Sequence, residues 1–245
     1  MTARVTLATA QRVLEQLRRD RRTLALIAVV PPALLTLLRY ILDAERPAFE
    51  RVAVPLVGMF PLIIMFLITS IAMLRERTSG TLERLMSLPL TKLDLIAGYA
   101  VAFALVAAAQ TCLTSAVAFG LLGVSVQGSS ALVVALAVAN ALLGVALGLF
   151  LSAFATSEFQ AVQFMPAVVL PQFLLCGLLV PRDELGTVLE AISWALPLSY
   201  AVDAMQRITV ETGVSARTLV DLAVVCVAIA LSVGLGAATL RRRTA

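Results

Sequence analysis

The sequence predicts an all-α polytopic membrane protein in which six helices cross the bilayer. Hydrophobic residues make up 60% of the 245-residue chain and charged residues only 14%, and the mean hydropathy is +0.98. A soluble domain carries about 25% charged residues, so this composition could not cover a water-exposed surface. The apolar residues are also grouped into long runs, and a membrane-spanning helix needs about 20 of them.

Six stretches are long enough to cross a bilayer. Helices and closed barrels both satisfy the backbone in lipid, and runs this long without ten-residue alternation favour helices. The predicted spans are residues 23–42, 53–74, 95–122, 131–154, 159–180 and 219–240. Together they predict a single transmembrane domain over residues 1–245. In the fourth span, Gly144 and Gly148 form a small-xxx-small face that favours close packing within the subunit.

The distribution of Arg and Lys predicts which side of the membrane each loop occupies. Thirteen of the nineteen cationic residues lie before the first span, between the second and third spans, or after the last span. Six spans would place these three segments on one side, and cytoplasmic loops carry an excess of Arg and Lys. We therefore expect a multi-pass protein of the cytoplasmic membrane with both termini in the cytoplasm. The same bias explains the net charge of +4 without a nucleic-acid partner.

Two further predicted elements lie outside the spans. Residues 5–22 place apolar side chains on one face and charges on the other, which predicts an amphipathic helix in the inner membrane interface. Residues 181–210 carry a patterned apolar face, Trp194 and a central proline. Because Trp is enriched at membrane interfaces, they are expected to form two re-entrant helices at the outer leaflet. Asp203 and Arg207 are spaced to form an ion pair on the second of them.

A charged and patterned segment separates the second and third spans. Gly80 and Glu83 favour a helix start, apolar residues follow on one face, and Pro89 stops the helix. The pattern predicts a short amphipathic helix over residues 76–88 in the cytoplasm. Such a helix either closes a long loop or docks a cytoplasmic partner and carries force to the spans.

Residues 75–99 resemble the signature of the type-2 ABC exporter permeases, and they read RERTSGTLERLMSLPLTKLDLIAGY. The matching positions are Arg75, Glu76, Ser79, Gly80, Thr81, Glu83, Arg84, Pro89 and Gly98. Residues 196–208, LPLSYAVDAMQRI, resemble the same family's segment before the final span. The resemblance covers essentially the whole chain and is closest to the daunorubicin and multidrug exporter branch.

The resemblance implies a permease subunit rather than an enzyme. The 76–88 helix would be the coupling helix seated in the ATPase, and residues 181–210 would be the outer re-entrant helices that close the exit. The implied partners are two copies of a cytoplasmic ABC ATPase and a second permease, either a copy of this chain or a related one. The residues implied in coupling are Glu76, Ser79, Gly80, Thr81, Leu82, Glu83, Arg84, Leu85 and Met86.

The sequence agrees with ATP being handled by another subunit. The phosphate-loop pattern G-x-x-x-x-G-K-[ST] does not occur, and the single lysine, Lys92, is preceded by Thr and followed by Leu. We expect ATP and Mg²⁺ on the partner, and no cofactor or metal bound by this chain. Histidine is absent and the three cysteines lie far apart, which argues against a catalytic or metal site.

An ATP-independent membrane protein is the alternative, whether a secondary transporter, a channel or an assembly factor. A secondary transporter would carry ionisable groups at mid-membrane, and the spans contain almost none. Chemistry does not separate a channel or an assembly factor from an exporter, but the patterned 75–99 segment argues against both. For an exporter, the apolar lining suits a hydrophobic or amphiphilic substrate such as a drug or a lipid. The residues expected along its path are Met59, Phe60, Met65, Phe66, Gln163, Phe164 and Phe173.

Overall fold

The computed structural model describes residues 3–80 and 92–239, and every regular element in these ranges is helical. A π-helical turn, Val117–Leu121, extends the fourth helix, and 3₁₀ turns lie at Ser152–Phe154 and Arg182–Glu184. The all-α prediction is therefore confirmed for this part of the chain. Its α-helices are α1 Ala3–Arg19, α2 Arg21–Ile41, α3 Arg46–Thr78, α4 Lys92–Ala116, α5 Ser130–Leu151, α6 Glu158–Leu175, α7 Thr187–Ser193, α8 Pro197–Val210 and α9 Ala216–Thr239.

Five of the described helices are long and apolar enough to cross a membrane, and they correspond to five of the six predicted spans. Helix α3 is the longest, with 33 residues, or about 50 Å at 1.5 Å per residue. It therefore extends well beyond a hydrocarbon core of about 30 Å. The five segments are Arg21–Ile41, Arg46–Thr78, Asp94–Leu121, Ser130–Phe154 and Ala216–Thr239.

The predicted interfacial helix over residues 5–22 is too long at its C-terminal end. Helix α1 ends at Arg19, and α2 begins at Arg21 rather than at Thr23. The side chain of Asp20 causes the break, because it accepts hydrogen bonds from the Thr23 amide (3.1 Å) and the Thr23 hydroxyl (2.6 Å). These bonds cap α2 and lower the pKa of Asp20.

The fifth predicted span, residues 159–180, is also longer than the helix that forms there. Helix α6 has 18 residues, or about 27 Å, and residues 176–180 are not helical. Gly177 lies just past its end with φ of +86°, a conformation that residues with a Cβ rarely adopt. The helix also contains two prolines and three glutamines. Whether α6 crosses the bilayer stays a prediction.

Helices α3 and α5 form the centre of the bundle and pack very closely. A Cβ placed on Gly144 would lie 2.3 Å from the carbonyl oxygen of Leu62, and one on Gly148 would lie 2.6 Å from that of Phe66. Asn140 of α5 donates to the Gly58 carbonyl of α3 (3.2 Å). The predicted small-residue face is therefore confirmed as a contact within the subunit, where only glycine permits this approach.

The bundle has two distinct ends. At the α1 end, Thr9 of α1 packs against Gly98 of α4, and Gly236 of α9 packs against Phe150 of α5. The C-terminal end of α3 also lies there. The opposite end, which we call the α8 end, contains the loops on either side of α8 and the loop before α5. The described parts of the first two arginine-rich segments thus share one end with the C-terminal part of α9, as the sequence predicted. The arginines after the last span lie outside the described residues, and the orientation of this end to the cytoplasm stays a prediction.

Candidate functional site

The last turn of α3 carries charged side chains that bind a different neighbour at each position. Residues 53–74 of α3 are mostly apolar, and the charges begin only where the helix leaves this run. Arg12 of α1 forms an ion pair with Glu76 (Nη1 to Oε1, 3.1 Å) and also donates to the hydroxyl of Tyr99 in α4. Glu76 is only 9% exposed, so this network connects α1, α3 and α4 inside the protein.

The residues on either side of Glu76 connect α3 to the start of α6 and to the end of α5. Arg75 donates two hydrogen bonds to Glu158 at the start of α6, with Nε at 2.7 Å and Nη2 at 3.1 Å. Two parallel bonds fix the orientation as well as the distance of such a pair. Arg77 donates to the backbone carbonyl of Ser152, just after α5. We call residues 75–78 the α3 terminus.

Helix α1 is held firmly against this region rather than lying loosely beside it. Ala10 and Val13 are buried, and they pack in one apolar cluster with Met73, Ile96 and other residues of α3, α4 and α5. A Cβ on Gly98 would lie 2.5 Å from Thr9, so α1 and α4 approach as closely as their backbones allow. The amphipathic face that was predicted for a membrane interface is thus partly used for packing on other helices.

A cavity of about 450 Å³ lies at the α1 end between α1, α3 and α4. Its apolar wall comes mainly from α3 and α1, and its polar wall includes Asp20, Arg75 and Glu76. The apolar residues that line it are Val13, Leu17, Ile68, Ile71, Ala72 and Phe103.

The predicted coupling helix, residues 76–88, starts too early, because its first residues belong to α3. Residues 76–78 are the last turn of α3, and the Ser79 amide donates to the Arg75 carbonyl (2.9 Å). Gly80, which was predicted to start the next helix, ends this one with φ of +71°, since glycine permits the left-handed conformation that follows many helices. The remaining predicted coupling residues lie outside the described residues: Thr81, Leu82, Glu83, Arg84, Leu85 and Met86.

The residues predicted along a substrate path do not line either of the two cavities described here. Met59, Met65 and Phe66 of α3 are fully buried. Met59 and Phe66 belong to one apolar cluster against which Phe164 and Phe173 of α6 pack, so four of the seven residues come together. Phe60 packs in a second cluster, Met65 belongs to a third, and Gln163 is exposed on α6. The path stays a prediction.

A second cavity, of about 900 Å³, lies at the α8 end. Sequence reasoning missed its central ion pair, which Arg182 forms with Asp203. The predicted pair between Asp203 and Arg207 is wrong, because Arg207 binds Asp221 of α9 instead (2.9 Å). Both partners lie on segments packed against α8, and spacing along α8 alone could not reveal them.

Burial has a direct effect on the charge at this second cavity. Burial raises the pKa of Asp203, and the Asp221 carboxylate raises it further, while the neighbouring guanidinium groups of Arg182, Arg207 and Arg217 offset only part of this rise. A carboxylate can stay ionised at such a site when cations compensate for the lost water. The ring of Trp194 lies 4.1 Å from the guanidinium carbon of Arg182, a cation–π contact that holds this arginine in place.

Comparison with known proteins places this architecture among transport proteins. Two similar proteins of Escherichia coli are named probable multidrug ABC transporter permeases. One, YbhR, is 29% identical over 153 residues, which cover 62% of this chain and 42% of the relative. The other, YbhS, is 24% identical over 182 residues, which cover 74% and 48%. ABC transporter G family member 20 of Dictyostelium discoideum is 27% identical over 144 residues, 59% of this chain and 20% of that protein.

The chain spans less than half the length of each of these relatives. A family description, "ABC-2 type transporter", matches residues 4–210, which include the α3 terminus, the two cavities' main walls and both segments that carried the resemblance. The all-helical architecture and the five membrane-crossing helices agree with this match. The chain belongs to the ABC-2 type transporter family.

Proposed function

We propose that this chain is the transmembrane permease subunit of an ABC exporter. ATP with Mg²⁺ would bind to a separate cytoplasmic ATPase, and two copies of that ATPase would work with two permeases. The second permease would be a copy of this chain or a related one. The names of the relatives and the family match support this class of protein, and the described geometry supports a mechanism of coupling.

The α3 terminus is the observation that carries the proposal. It leads directly into residues 81–91, which include most of the predicted coupling residues. Arg75 connects this point to the start of α6, and Arg77 connects it to the end of α5. Glu76 connects it to α1 through Arg12, which also contacts α4. A displacement applied to residues 81–91 would therefore reach four other helices without passing through the lipid-facing surface.

The connections are strong enough to transmit force and weak enough to rearrange. Each charged hydrogen bond contributes on the order of 1.5–3 kcal/mol, and exposed pairs contribute less. Arg75 and Glu158 are 61% and 52% exposed, whereas Glu76 is mostly buried. We infer that the Arg12–Glu76 network stays intact while the Arg75–Glu158 pair exchanges during transport.

The proposed topology has six spans in one domain, with α6 as the fifth and both termini in the cytoplasm. Helices α7 and α8, with the turn before them, would form the re-entrant element at the outer leaflet. The exposed faces of α7 support this placement, because Val188, Leu189 and Ile192 are apolar and 45–72% exposed. Such side chains are expected to contact lipid or another subunit.

The proposed substrate is hydrophobic or amphiphilic, either a drug or a lipid-like molecule, and it moves outward. The apolar cluster that joins Met59, Phe66, Phe164 and Phe173 supports this class, because the residues along the predicted path carry no charge. The relatives named as multidrug permeases support export of such compounds.

Co-purification with the ATPase tests the proposal. We expect Leu85→Asp to reduce the amount of ATPase that co-purifies and the export rate, because the change would bury an unpaired charge against the partner. Glu83→Ala should have a smaller effect, and Glu15→Ala provides the same change on the exposed face of α1. Normal membrane levels of all three variants are expected.

Two results would contradict the proposal. One is export and co-purification by Leu85→Asp at the parental level. The other is substrate efflux by the chain in vesicles that contain no ATPase, which would favour an ATP-independent protein.

A further inference from the structure

The cavity at the α8 end contains a buried hydrogen-bond donor without an acceptor. The side chain of Arg182 is 9% exposed and lines this cavity. Its Nη2 atom binds Asp203, but its Nη1 atom is buried and has no hydrogen-bond partner among the described residues. A buried polar group without a partner destabilises the protein, so the site gains stability when an acceptor binds there.

Arg182 is also held in position before any ligand arrives. The Asp203 carboxylate fixes one side of the guanidinium group, and the ring of Trp194 covers one of its faces. A guanidinium group presents its donors in a rigid plane that matches carboxylate and phosphate oxygens. Because the side chain is already ordered, a ligand would lose little entropy in binding to it.

The charges around Arg182 favour an anion. Arg182, Arg207 and Arg217 lie near Asp203 together with the carboxylate of Asp221, so arginines are the more numerous charged groups immediately around Arg182. Arg217 is exposed and forms no ion pair in the described part of the chain. Over the whole wall the charges balance, because Arg51 and these three arginines face four carboxylates. The preference for an anion therefore rests on the arginines nearest the buried donor.

Acidic side chains limit how much negative charge the cavity can accept. Asp183 and Glu190 also line it, and neither forms an ion pair among the described residues. Glu50 lines it as well, but it is occupied by Arg46 (3.7 Å) and Ser125 (3.0 Å). A ligand with a single negative charge fits this balance better than one with two or more.

The remaining wall is apolar and partly exposed. Leu178, Leu179 and Val210 line the cavity beside the charged cluster, and Leu179 and Val210 are 58% and 68% exposed. The volume of about 900 Å³ lies within the range of about 300–1,000 Å³ found for small-molecule sites. It can hold a headgroup and the first part of an apolar chain.

From these observations we infer that the α8-end cavity is a binding site for an amphiphile with a singly charged phosphate or carboxylate headgroup. The headgroup oxygens accept hydrogen bonds from Nη1 of Arg182 and meet the charge of Arg217, and the apolar part lies along Leu178, Leu179 and Val210. The inference concerns binding alone and does not depend on the export proposed above.

The single tryptophan of the chain provides the measurement, since Trp194 lines the cavity and contacts Arg182. The purified full chain in a neutral maltoside detergent is titrated with dihexanoylphosphatidylglycerol while its tryptophan emission is recorded. We expect a saturable change in emission. Inorganic phosphate and octyltrimethylammonium are expected to bind at least tenfold more weakly.

Matched variants show whether the ligand binds where we infer. Arg182→Gln combined with Asp203→Asn removes both charges of the ion pair, so that no buried charge is left alone, and it should weaken binding at least tenfold. Arg217→Gln breaks no ion pair and should weaken binding several-fold. Arg39→Gln, at the same end but outside the cavity, should bind as the parent does.

Three results would overturn the inference. The first is equal affinity for octyltrimethylammonium, which would remove the preference for an anion. The second is unchanged affinity in both the double variant and Arg217→Gln. The third, equal affinity for inorganic phosphate, would overturn the amphiphile part and leave a site for a free anion.

Discussion

The ion pair between Arg12 and Glu76 offers the most direct test of how α1 is connected to the α3 terminus. The two side chains are 30% and 11% exposed. Exposed pairs contribute about 0–1 kcal/mol, and breaking a buried pair from one side costs about 3–5 kcal/mol. Because the exposure of this pair lies between that of a surface pair and a buried pair, we expect Arg12→Ala to lower the free energy of unfolding by about 2 kcal/mol.

The two single changes should not be equivalent. Arg12→Ala leaves the buried Glu76 carboxylate without its donor and also removes the bond to Tyr99. Glu76→Ala leaves Arg12, whose exposed part can still reach water, so we expect a smaller loss of about 1 kcal/mol. In the double variant no buried charge is left alone, and the loss should be less than the sum of the two.

The assay is unfolding of the purified chain in mixed micelles by increasing SDS, followed by helical circular dichroism. We expect a coupling energy of about 1–2 kcal/mol from the double-mutant cycle, within the range for residues in contact. Arg18→Ala is the control, since Arg18 is exposed on the same helix, and it should change stability by less than about 0.5 kcal/mol. Additivity of the two changes within about 0.5 kcal/mol would refute the reasoning.

Two further predictions concern the bundle itself. Gly144→Ala should lower the free energy of unfolding by about 1–3 kcal/mol through overpacking, because its Cβ would lie 2.3 Å from the Leu62 carbonyl oxygen. Gly234→Ala adds a Cβ with no neighbouring atom of the described residues within 4 Å, so it should be neutral or stabilising by up to about 1 kcal/mol in the same assay. An equal loss in both variants would argue against close packing at Gly144. For topology, single cysteines at Ser79 and Thr187 in a cysteine-free background should be labelled from the cytoplasm and from outside, respectively. Labelling of position 79 from outside intact cells would contradict the six-span arrangement.

Much of the fold could be predicted because the patterns that specify it are local. A run of about 20 apolar residues partitions into lipid as a helix whatever its neighbours are, and this accounts for the five described helices that are long and apolar enough to cross a membrane. The boundaries differ from the predicted ones because they depend on single residues. Asp20 ends one helix early by capping the next. Helix α6 ends at Leu175, before the predicted end of the fifth span, and Gly177 allows the chain to turn just after it.

The candidate sites could be predicted only in part. Charges at residues 75–77 marked the end of a span, and the motif around them indicated the family. The sequence did not show that these neighbours bind three different parts of the bundle, nor that Arg182 meets Asp203. The spacing of Asp203 and Arg207 predicted an ion pair on one helix. Because other segments pack against α8, Asp203 binds Arg182 and Arg207 binds Asp221 instead.

The sequence by itself determined that most of this chain lies in lipid, that its regular structure is helical, and which family it belongs to. Apolar runs, helical periodicity and a contiguous motif are all read from residues that are near each other in the chain. Only the tertiary structure decided which charges meet, because Arg12 and Glu76 are 64 residues apart and Arg75 and Glu158 are 83 apart. Their partners depend on which helix ends come together, and the close approach of α3 and α5 at Gly144 and Gly148 fixes that arrangement.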